Sequence, residues 1–438
     1  MSATLAYHRA TNVAAYGTDE DEARTLDTHP TAFKEYGDAE RLPLETSVGG
    51  RVLGDGAAVV RTRTHRGFPG TRTVHFRGYS SAGALYPVEA YLADRGGLYS
   101  FDALSPALVR VGGGEAVAAV AAAAAAARAE GETFVVLTGI HARTGWKYME
   151  RGYRHVWWDA GTMLANLLAL AAADGLRPRL YTAFVDRELN AALGVDGVSE
   201  YALAVLALGK GTGAAGAPES AGDTVSQAAS GPRYPLAEAA HAASSLADVA
   251  EVREWRSEPS DEEPVLDRAA LVHAIRRRGS VRNYAPTPLP RGELAELLAW
   301  SEAPIPADAP SVVRQVVTVA AVEGLEPGIY DADLNLVAAR EERELREAVG
   351  FAAMEQEHPR DGAVNIFQLA DLDAVVGSLG DRGYRWAQLE AGIRAGRLQI
   401  GAFRRGWGAA ASTFFDEEVS RLLDTHESPL LMVAVGPR

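Results

Sequence analysis

One segment of this 438-residue chain occurs twice, 231 positions apart. Residues 147–161 and residues 378–392 both contain the sequence Arg-Gly-Tyr-Arg, followed by an acidic residue, alanine and glycine. Each copy then reaches an aromatic and acidic turn, at residues 184–188 and 414–418, and each ends in an apolar strand. A repeat of this length is too large for a solenoid unit, so it predicts a duplicated domain.

The two copies differ at a position that can carry chemistry. The first copy has Lys147-Tyr148 where the second has Ser378-Leu379. Adjacent lysine and tyrosine side chains on a loop can transfer protons if burial shifts their pKa values. For an isolated pair the simpler interpretation, two surface residues, is favoured. Within the repeat, the difference predicts that the two copies have divided their functions.

Composition restricts the classes of function. A hydrophobic content of 47% and a charged content of 23% are typical of a globular protein, and the length predicts two domains. The absence of cysteine excludes disulfides and thiolate sites, and the histidines show no metal-ligand spacing: His8, His141 and His155 are isolated, which predicts surface or core roles. A net charge of −15 argues against a general nucleic-acid binder. No leader-like or membrane-spanning apolar run is evident, and a cytoplasmic location is expected.

Short apolar strands alternate with helices in both halves, which predicts an α+β fold with helices against mostly antiparallel sheets. A stretch rich in Gly, Ala, Ser and Pro, residues 211–232, predicts a flexible linker. Weak helical patterning returns over residues 236–255. The predicted organisation is domain 1 over residues 1–210, a linker over residues 211–264 and domain 2 over residues 265–438.

Two further segments have ligand-binding patterns. Residues 276–282 alternate arginine and serine after an apolar helix, so guanidinium and hydroxyl groups can converge on one phosphate. A solvated basic helix end is the alternative, and on the residues alone it is favoured. Residues 77–89 contain small side chains that let the backbone approach a flat ligand closely. For this segment an ordinary loop is about equally compatible.

Together these segments resemble the nitroreductase-like flavin superfamily, most closely its SagB/ThcOx-type (McbC-like) branch, the dehydrogenases of thiazole- and oxazole-containing peptides. The matching residues are 80–87, 151–154 with Gly161, 276–282, 380–385 and 412–416. The resemblance implies two tandem nitroreductase-like α/β sandwich domains that form an internal pseudo-dimer. It also implies flavin mononucleotide (FMN) as the cofactor at their interface.

The resemblance further implies one composite flavin site, because each half keeps only part of the family pattern. At the place of the arginine segment the first half has residues 7–13, and at the place of the serine-rich segment the second half has residues 309–313, without the glycine. The second interface site is expected to lack flavin, and no metal is expected. The expected cofactor-binding residues are Ser80, Ser81, Gly83, Ala84 and Leu85 from domain 1, and Arg278, Ser280, Arg282, Thr413 and Phe414 from domain 2.

By the same resemblance, Lys147 and Tyr148 are the catalytic pair of an azoline dehydrogenase. Lys147, with a lowered pKa, would take a proton from a carbon beside C=N or C=O, and Tyr148 would relay the proton or orient the substrate. The implied substrate is a modified peptide or a related small molecule, delivered by partner biosynthetic enzymes. The alternatives are an NAD(P)H-dependent nitro or quinone reductase and a degenerate scaffold protein. Whether two whole chains form a dimer stays open.

Overall fold

The computed structural model describes residues 2–13, 29–67, 70–125, 132–210, 232–257 and 262–438. The strands of this part of the chain are β1 (Arg41–Leu42), β2 (Val59–Gly67), β3 (Gly70–Arg77), β4 (Val88–Asp94), β5 (Gly97–Asp102), β6 (Ala107–Gly112), β7 (Glu132–Gly139), β8 (Arg179–Tyr181), β9 (Tyr201–Lys210), β10 (Arg314–Val319), β11 (Gly328–Asp331), β12 (Leu336–Ala339), β13 (Val364–Ala370), β14 (Gly408–Ser412) and β15 (Ser428–Gly436). Its α-helices are α1 (Ala3–Ala10), α2 (Val48–Ala57), α3 (Glu115–Ala123), α4 (His141–Tyr148), α5 (Gly152–Ala173), α6 (Asp186–Leu193), α7 (Pro235–Ala243), α8 (Val249–Trp255), α9 (Arg268–Arg277), α10 (Arg291–Glu302), α11 (Glu342–Ala352), α12 (Glu357–Asp361), α13 (Leu372–Arg404) and α14 (Asp416–Leu423).

The two large sheets repeat one topology. The first has the strand order β1-β6-β5-β4-β7-β9-β8 and the second has the order β12-β11-β10-β13-β15-β14, so they match strand for strand apart from the extra edge strand β1. Neighbouring strands in both sheets pair antiparallel. The predicted α+β fold with antiparallel sheets is therefore confirmed. Strands β2 and β3 form a separate hairpin.

The long helices α5 and α13 join the two halves at a pair of glycines. A Cβ atom on Gly161 would lie 2.6 Å from the Cα atom of Gly392, and a Cβ atom on Gly392 would lie 2.6 Å from the carbonyl oxygen of Trp158. Any larger residue at either position would force the helices apart. One continuous hydrophobic core surrounds this crossing and includes residues of both sheets, so the halves form the expected internal pseudo-dimer.

Equivalent helices cover the outer faces of the sheets. Val117 of α3 and Leu189 of α6 are buried against the first sheet. Leu345 of α11 and Val419 of α14 are buried against the second sheet. Each half is therefore a sandwich of helices and sheet, with its long helix on the inner side.

The structure corrects several details of the sequence prediction. Lys147 and Tyr148 end helix α4, whereas the sequence predicted a loop. The predicted linker contains helices α7 and α8, in the region where weak helical patterning was noted, while residues 211–231 lie outside the described part of the chain. The exact limits of the two domains stay a prediction.

One helical stretch, His141–Ala173, is long and apolar enough to cross a membrane by composition. In its most apolar window, 94% of the residues are buried inside the protein. The apolar character of this stretch is therefore explained by its position in the core.

Candidate active site

The repeated arginines bind the acidic turn of the opposite half. Arg151 Nη1 lies 2.8 Å from Asp416 Oδ2, and Arg154 Nη1 lies 3.1 Å from Asp416 Oδ1. All three side chains are buried. We call these three residues the first clamp. The first Arg-Gly-Tyr-Arg sequence therefore ties domain 1 to domain 2.

A second clamp repeats this arrangement with the halves exchanged. Arg382 and Arg385 lie 2.7 Å and 2.6 Å from the two carboxylate oxygens of Asp186. Burial alone would raise the pKa of Asp186, but the two guanidinium groups outweigh burial and hold this pKa at about 2. Both copies of the repeated motif are therefore structural elements of the interface.

The clamps also correct one correspondence between the halves. Residues 7–13 supply backbone acceptors to the first clamp, and residues 240–246 supply them to the second. The carbonyl oxygens of His8 and His241 take the same position in the two clamps. The counterpart of residues 7–13 is thus residues 240–246. Their predicted correspondence with the arginine segment, residues 276–282, is wrong.

The serine-rich segment is held on helix α5 by a buried carboxylate. Ser81 Oγ donates to Asp159 Oδ2 at 2.5 Å, and the backbone N–H of Ala82 donates to Asp159 Oδ1 at 3.2 Å. Gly83 follows with a φ of 63° and is exposed, a conformation that favours glycine. A Cβ atom there would lie 3.5 Å from Lys147 Cδ. The segment therefore presents bare backbone beside Lys147. Of the other predicted residues, Ala84 also has a positive φ, Ser80 is half-buried and Leu85 is buried.

Burial raises the pKa of Asp159 to about 7, although Ser81, Ala82 and Arg278 act in the opposite direction. Because this pKa lies above the unfolded value of about 4, folding favours the protonated acid. Its stabilising contribution is full below pH ~4 and is lost as the pH rises through 7. We expect Asp159→Asn to remove this loss. Between pH 4 and pH 8, wild type should lose on the order of 2 to 4 kcal/mol relative to the variant, measured by urea denaturation. A constant difference between the two proteins would contradict this prediction.

Lys147 and Tyr148 stand at the exposed end of helix α4. The Tyr148 ring stacks on His155, with ring centroids 3.9 Å apart and planes at 12°, and Lys147 Nζ lies 5.2 Å from the centre of the Tyr148 ring. Burial, reinforced by Asp159 and opposed by Arg282, raises the pKa of Tyr148. Its phenol is therefore protonated at neutral pH and can donate a proton or a hydrogen bond.

His155 is a site residue that the sequence interpretation missed. It is buried, and its Nδ1 atom lies 3.1 Å from the Arg151 carbonyl oxygen. Burial, together with the charge of Arg151, lowers the pKa of His155 to about 3, so the ring is neutral when it supports Tyr148. The repeat could have indicated this residue, because the two copies differ here: the position equivalent to His155, 231 residues later, is Trp386.

The arginine segment of domain 2 adjoins the serine-rich segment of domain 1. Arg278 is buried and donates to the carbonyl oxygens of Tyr79 at 2.6 Å and Gly78 at 3.2 Å. Ser280 forms a backbone bridge to Ala409 of β14, and its side chain is exposed. Arg278 therefore joins the two segments through backbone acceptors, and a phosphate contact for this residue stays a prediction.

A second missed residue, His358, links the arginine segment to the segment that begins at Ser412. His358 Nε2 lies 2.7 Å from Ser412 Oγ, and Arg282 Nη1 lies 2.9 Å from His358 Nδ1. Burial, followed by the charge of Arg282, lowers the pKa of His358 to about 4. Next to Ser412, Thr413 is half-buried, whereas the Phe414 side chain is fully buried in the core. Only the backbone of Phe414 can face a ligand.

On the opposite side of the interface, a carboxylate of the protein binds the residues that are equivalent to Ser412 and Thr413. Asp308 accepts hydrogen bonds from the Thr182 backbone N–H at 2.7 Å, the Thr182 hydroxyl at 2.8 Å and the Ala183 N–H at 3.2 Å. Arg256 Nε lies 3.1 Å from the same carboxylate. Thr182 and Ala183 are the repeat equivalents of Ser412 and Thr413, 230 positions earlier. The donors of Thr182 and Ala183, which could otherwise face a ligand, therefore bind a carboxylate of the protein itself.

The backbone segments that pair with β8 and β14 also differ between the two sides of the interface. Ala307 forms a parallel bridge to Leu180 of β8, just as Ser280 bridges Ala409 of β14. The segment of residues 305–308 thus takes the place that the arginine segment has on the other side. A cavity of about 400 Å³ persists there, and its lining includes Glu302, Ser311, Trp386, Glu390 and Arg394. We call the two faces of the interface the Lys147 side and the Ser378 side.

Comparison with known proteins agrees with this architecture. The sequence profile of the nitroreductase family matches residues 62–210 and 275–437, more than half of the chain. A crystal structure from Anabaena variabilis, described as a nitroreductase, matches 100% of both chains with a TM-score of 0.80 and 24% identity, which shows the fold. A Methanocaldococcus jannaschii protein named as a nitroreductase is 26% identical over 186 residues, 40% of this chain and 93% of that protein.

A chain of the Escherichia coli microcin synthetase McbBCD complex, solved with truncated pro-MccB17 bound, is 20% identical. It covers 44% of this chain and 72% of its own length, with a TM-score of 0.30, which is too low to support an inference. The two family segments and the full-length fold match are decisive, and the chain belongs to the nitroreductase family.

Proposed function

We propose that this nitroreductase-family oxidoreductase is an FMN-dependent dehydrogenase that oxidises an azoline to an azole in a peptide, or a related biosynthetic intermediate. One observation carries the proposal. Lys147-Tyr148 and the exposed Gly83 backbone of domain 1 lie on the side of the interface where Arg278 of domain 2 binds the backbone beside the serine-rich segment. The charge of Arg282 acts on the pKa of Tyr148 from the same side. On the other side, Asp308 takes up the equivalent donors.

The residues on the Lys147 side have the chemistry that FMN requires. A phosphate group needs cationic and hydroxyl donors, and Arg282 and Ser280 are both exposed there. Within the described ranges, the hydroxyl groups of Ser80 and Ser280 make no hydrogen bond. A planar ring needs a surface without bulky side chains, which Gly83 provides. When bound, FMN would accept the hydride that the substrate loses.

The proposal gives the two catalytic residues different tasks. Lys147 is the base that takes the proton from the substrate carbon, which generates the electron pair for the second bond of the azole ring. Tyr148 is protonated, so it orients the substrate nitrogen or oxygen through a hydrogen bond, and His155 fixes the angle of its ring. The same proposal includes a cytoplasmic location and delivery of a modified peptide by partner enzymes. It also includes oxygen as the final electron acceptor.

Flavin stoichiometry tests the composite site. We expect purified protein to be yellow and to release one FMN per chain on denaturation, because Asp308 and Arg256 take up the Ser378 side. Chromatography identifies the released flavin, and its absorbance, divided by the protein concentration, gives the number of FMN molecules per chain. A ratio of two would contradict the single composite site, whereas protein that takes up no FMN would contradict the proposed enzyme.

Substrate class can be tested by flavin bleaching without oxygen. An azoline-containing peptide should reduce the bound flavin and become an azole, a mass decrease of two hydrogens. Rapid bleaching by NADPH, followed by reduction of a nitro compound or a quinone, with no response to azolines, would instead support the reductase alternative.

A further inference from the structure

Among the described residues, the hairpin β2–β3 of domain 1 has no counterpart in domain 2. It lies between α2 and the serine-rich segment, and in domain 2 the equivalent connection, residues 303–310, has no described hairpin. That shorter connection carries Asp308, which closes the Ser378 side. The two equivalent connections therefore add different groups to the interface. The connection of domain 2 adds a carboxylate to the Ser378 side, and the connection of domain 1 adds an arginine to the Lys147 side.

That arginine is Arg61 of β2, and it lies against the arginine segment of domain 2. Arg61 Nη2 and Nη1 lie 3.1 Å and 3.5 Å from the position that a Cβ atom on Gly279 would take. The guanidinium carbon is 4.8 Å from the centre of the Phe76 ring, which supports it from one side. Arg61 is thus positioned next to Ser280, across the interface from its own domain.

Among the described residues, no carboxylate pairs with Arg61. Within the described ranges its guanidinium makes no ion pair, and its Nε atom is buried without a hydrogen-bond partner. Burial, followed by the charge of Arg63, lowers the pKa of Arg61, as expected for a cation among other cations. A half-buried guanidinium is costly unless an anion compensates it. An anion between Arg61 and the Gly279-Ser280 backbone would supply this compensation.

We infer that Arg61 binds the phosphate group of FMN across the domain interface, together with Ser280 and Arg282. This inference rests on the proposed function. Arg278 is less suited to that contact, because two of its three nitrogen atoms, Nε and Nη2, already donate to the carbonyl oxygens of Gly78 and Tyr79. Arg61 supplies the charge instead, through the paired N–H groups that make arginine a strong phosphate ligand. The hairpin is thus the domain 1 contribution to cofactor binding.

Titration with two flavins tests this role directly. Riboflavin has the ring and ribityl chain of FMN but no phosphate. Arg61→Ala should weaken FMN binding about 10- to 100-fold, as for loss of a charge-assisted hydrogen bond, and leave riboflavin binding within about twofold. Quenching of flavin fluorescence gives both dissociation constants. Arg61→Lys, which keeps the charge, should recover part of the FMN affinity.

Controls separate the possible failures. Arg343→Ala removes an equally charged but exposed residue and should leave both affinities unchanged. Unchanged FMN affinity in Arg61→Ala would overturn the inference, and so would an equal loss for both flavins, which would indicate a packing role. If Arg61→Ala does not fold, Arg61→Gln gives the same comparison. Wild type that binds neither flavin would instead overturn the proposed function.

Discussion

Lys147→Met is expected to lower turnover by roughly 10²- to 10⁴-fold, the usual contribution of a general base, while flavin content is unchanged. Methionine keeps an unbranched side chain only one atom shorter, with the same packing against Gly83, but cannot take a proton. Because Lys147 is exposed at the end of α4, the substitution should not affect folding. The rate of anaerobic flavin bleaching by an azoline substrate, compared with the FMN content of the same sample, measures the effect.

The repeat offers a matched control for this experiment. Ser378→Ala alters the equivalent position on the Ser378 side, where the side chain donates, within the described part of the chain, to the carbonyl oxygens of Ala374 and Val375 alone. It should leave bleaching unchanged. Tyr148→Phe keeps the stack on His155 and should give a smaller loss than Lys147→Met, since it removes a donor and not the base. Normal bleaching by Lys147→Met would remove Lys147 from the mechanism.

The sequence predicted the parts of the fold that depend on local pattern and on the repeat. Short apolar strands alternating with helices were predicted in both halves, and the structure shows them, for example strands β4 and β7 and the buried helix α5. The repeated glycines at 161 and 392 indicated equivalence, but only the packed helices show that they face each other. The chemical contacts between the domains depend on the geometry of the whole interface, which no local pattern encodes.

Two errors show this limit. Residues 7–13 were placed opposite the arginine segment, yet their carbonyl oxygens complete the first clamp. His155 and His358 were missed because a single histidine has no characteristic spacing. His155 contacts Tyr148 from the next helix, α5, and His358 contacts Arg282 from 76 positions later in the chain.

Arg61 was missed for a related reason. Its position in an alternating polar hairpin is typical of a solvent-exposed strand, and nothing local distinguishes it from Arg63. Its significance comes from Gly279, more than two hundred positions away, and from the shorter connection in domain 2. Functional asymmetry in a duplicated chain is therefore best found by comparing equivalent contacts.

Asp416→Asn is expected to destabilise the protein by about 3–5 kcal/mol, because it leaves two buried guanidinium groups without a counter-charge. Arg151 and Arg154 both depend on this carboxylate for their only ion pairs among the described residues. Asp186→Asn should cost a similar amount, since it leaves Arg382 and Arg385 in the same state. The urea midpoint and slope measure both losses.

An exposed ion pair gives the control for these variants. Asp373→Asn breaks the contact with Arg9, whose side chain is 52% exposed, and should cost less than about 1 kcal/mol. A loss of similar size in Asp416→Asn would contradict the structural role of the first clamp.

Flavin binding should then distinguish the two clamps, although their effects on stability are alike. Asp416 lies two positions after the 412–414 segment on the Lys147 side, and Arg151 lies 5.6 Å from the Phe414 ring centre. Breaking the first clamp should therefore weaken FMN binding as well as stability. Breaking the second should lower stability alone, because Asp186 follows the Thr182 segment that Asp308 holds. Equal loss of flavin affinity in both variants would mean that the clamps act only through global stability, and that the interface has no functional side.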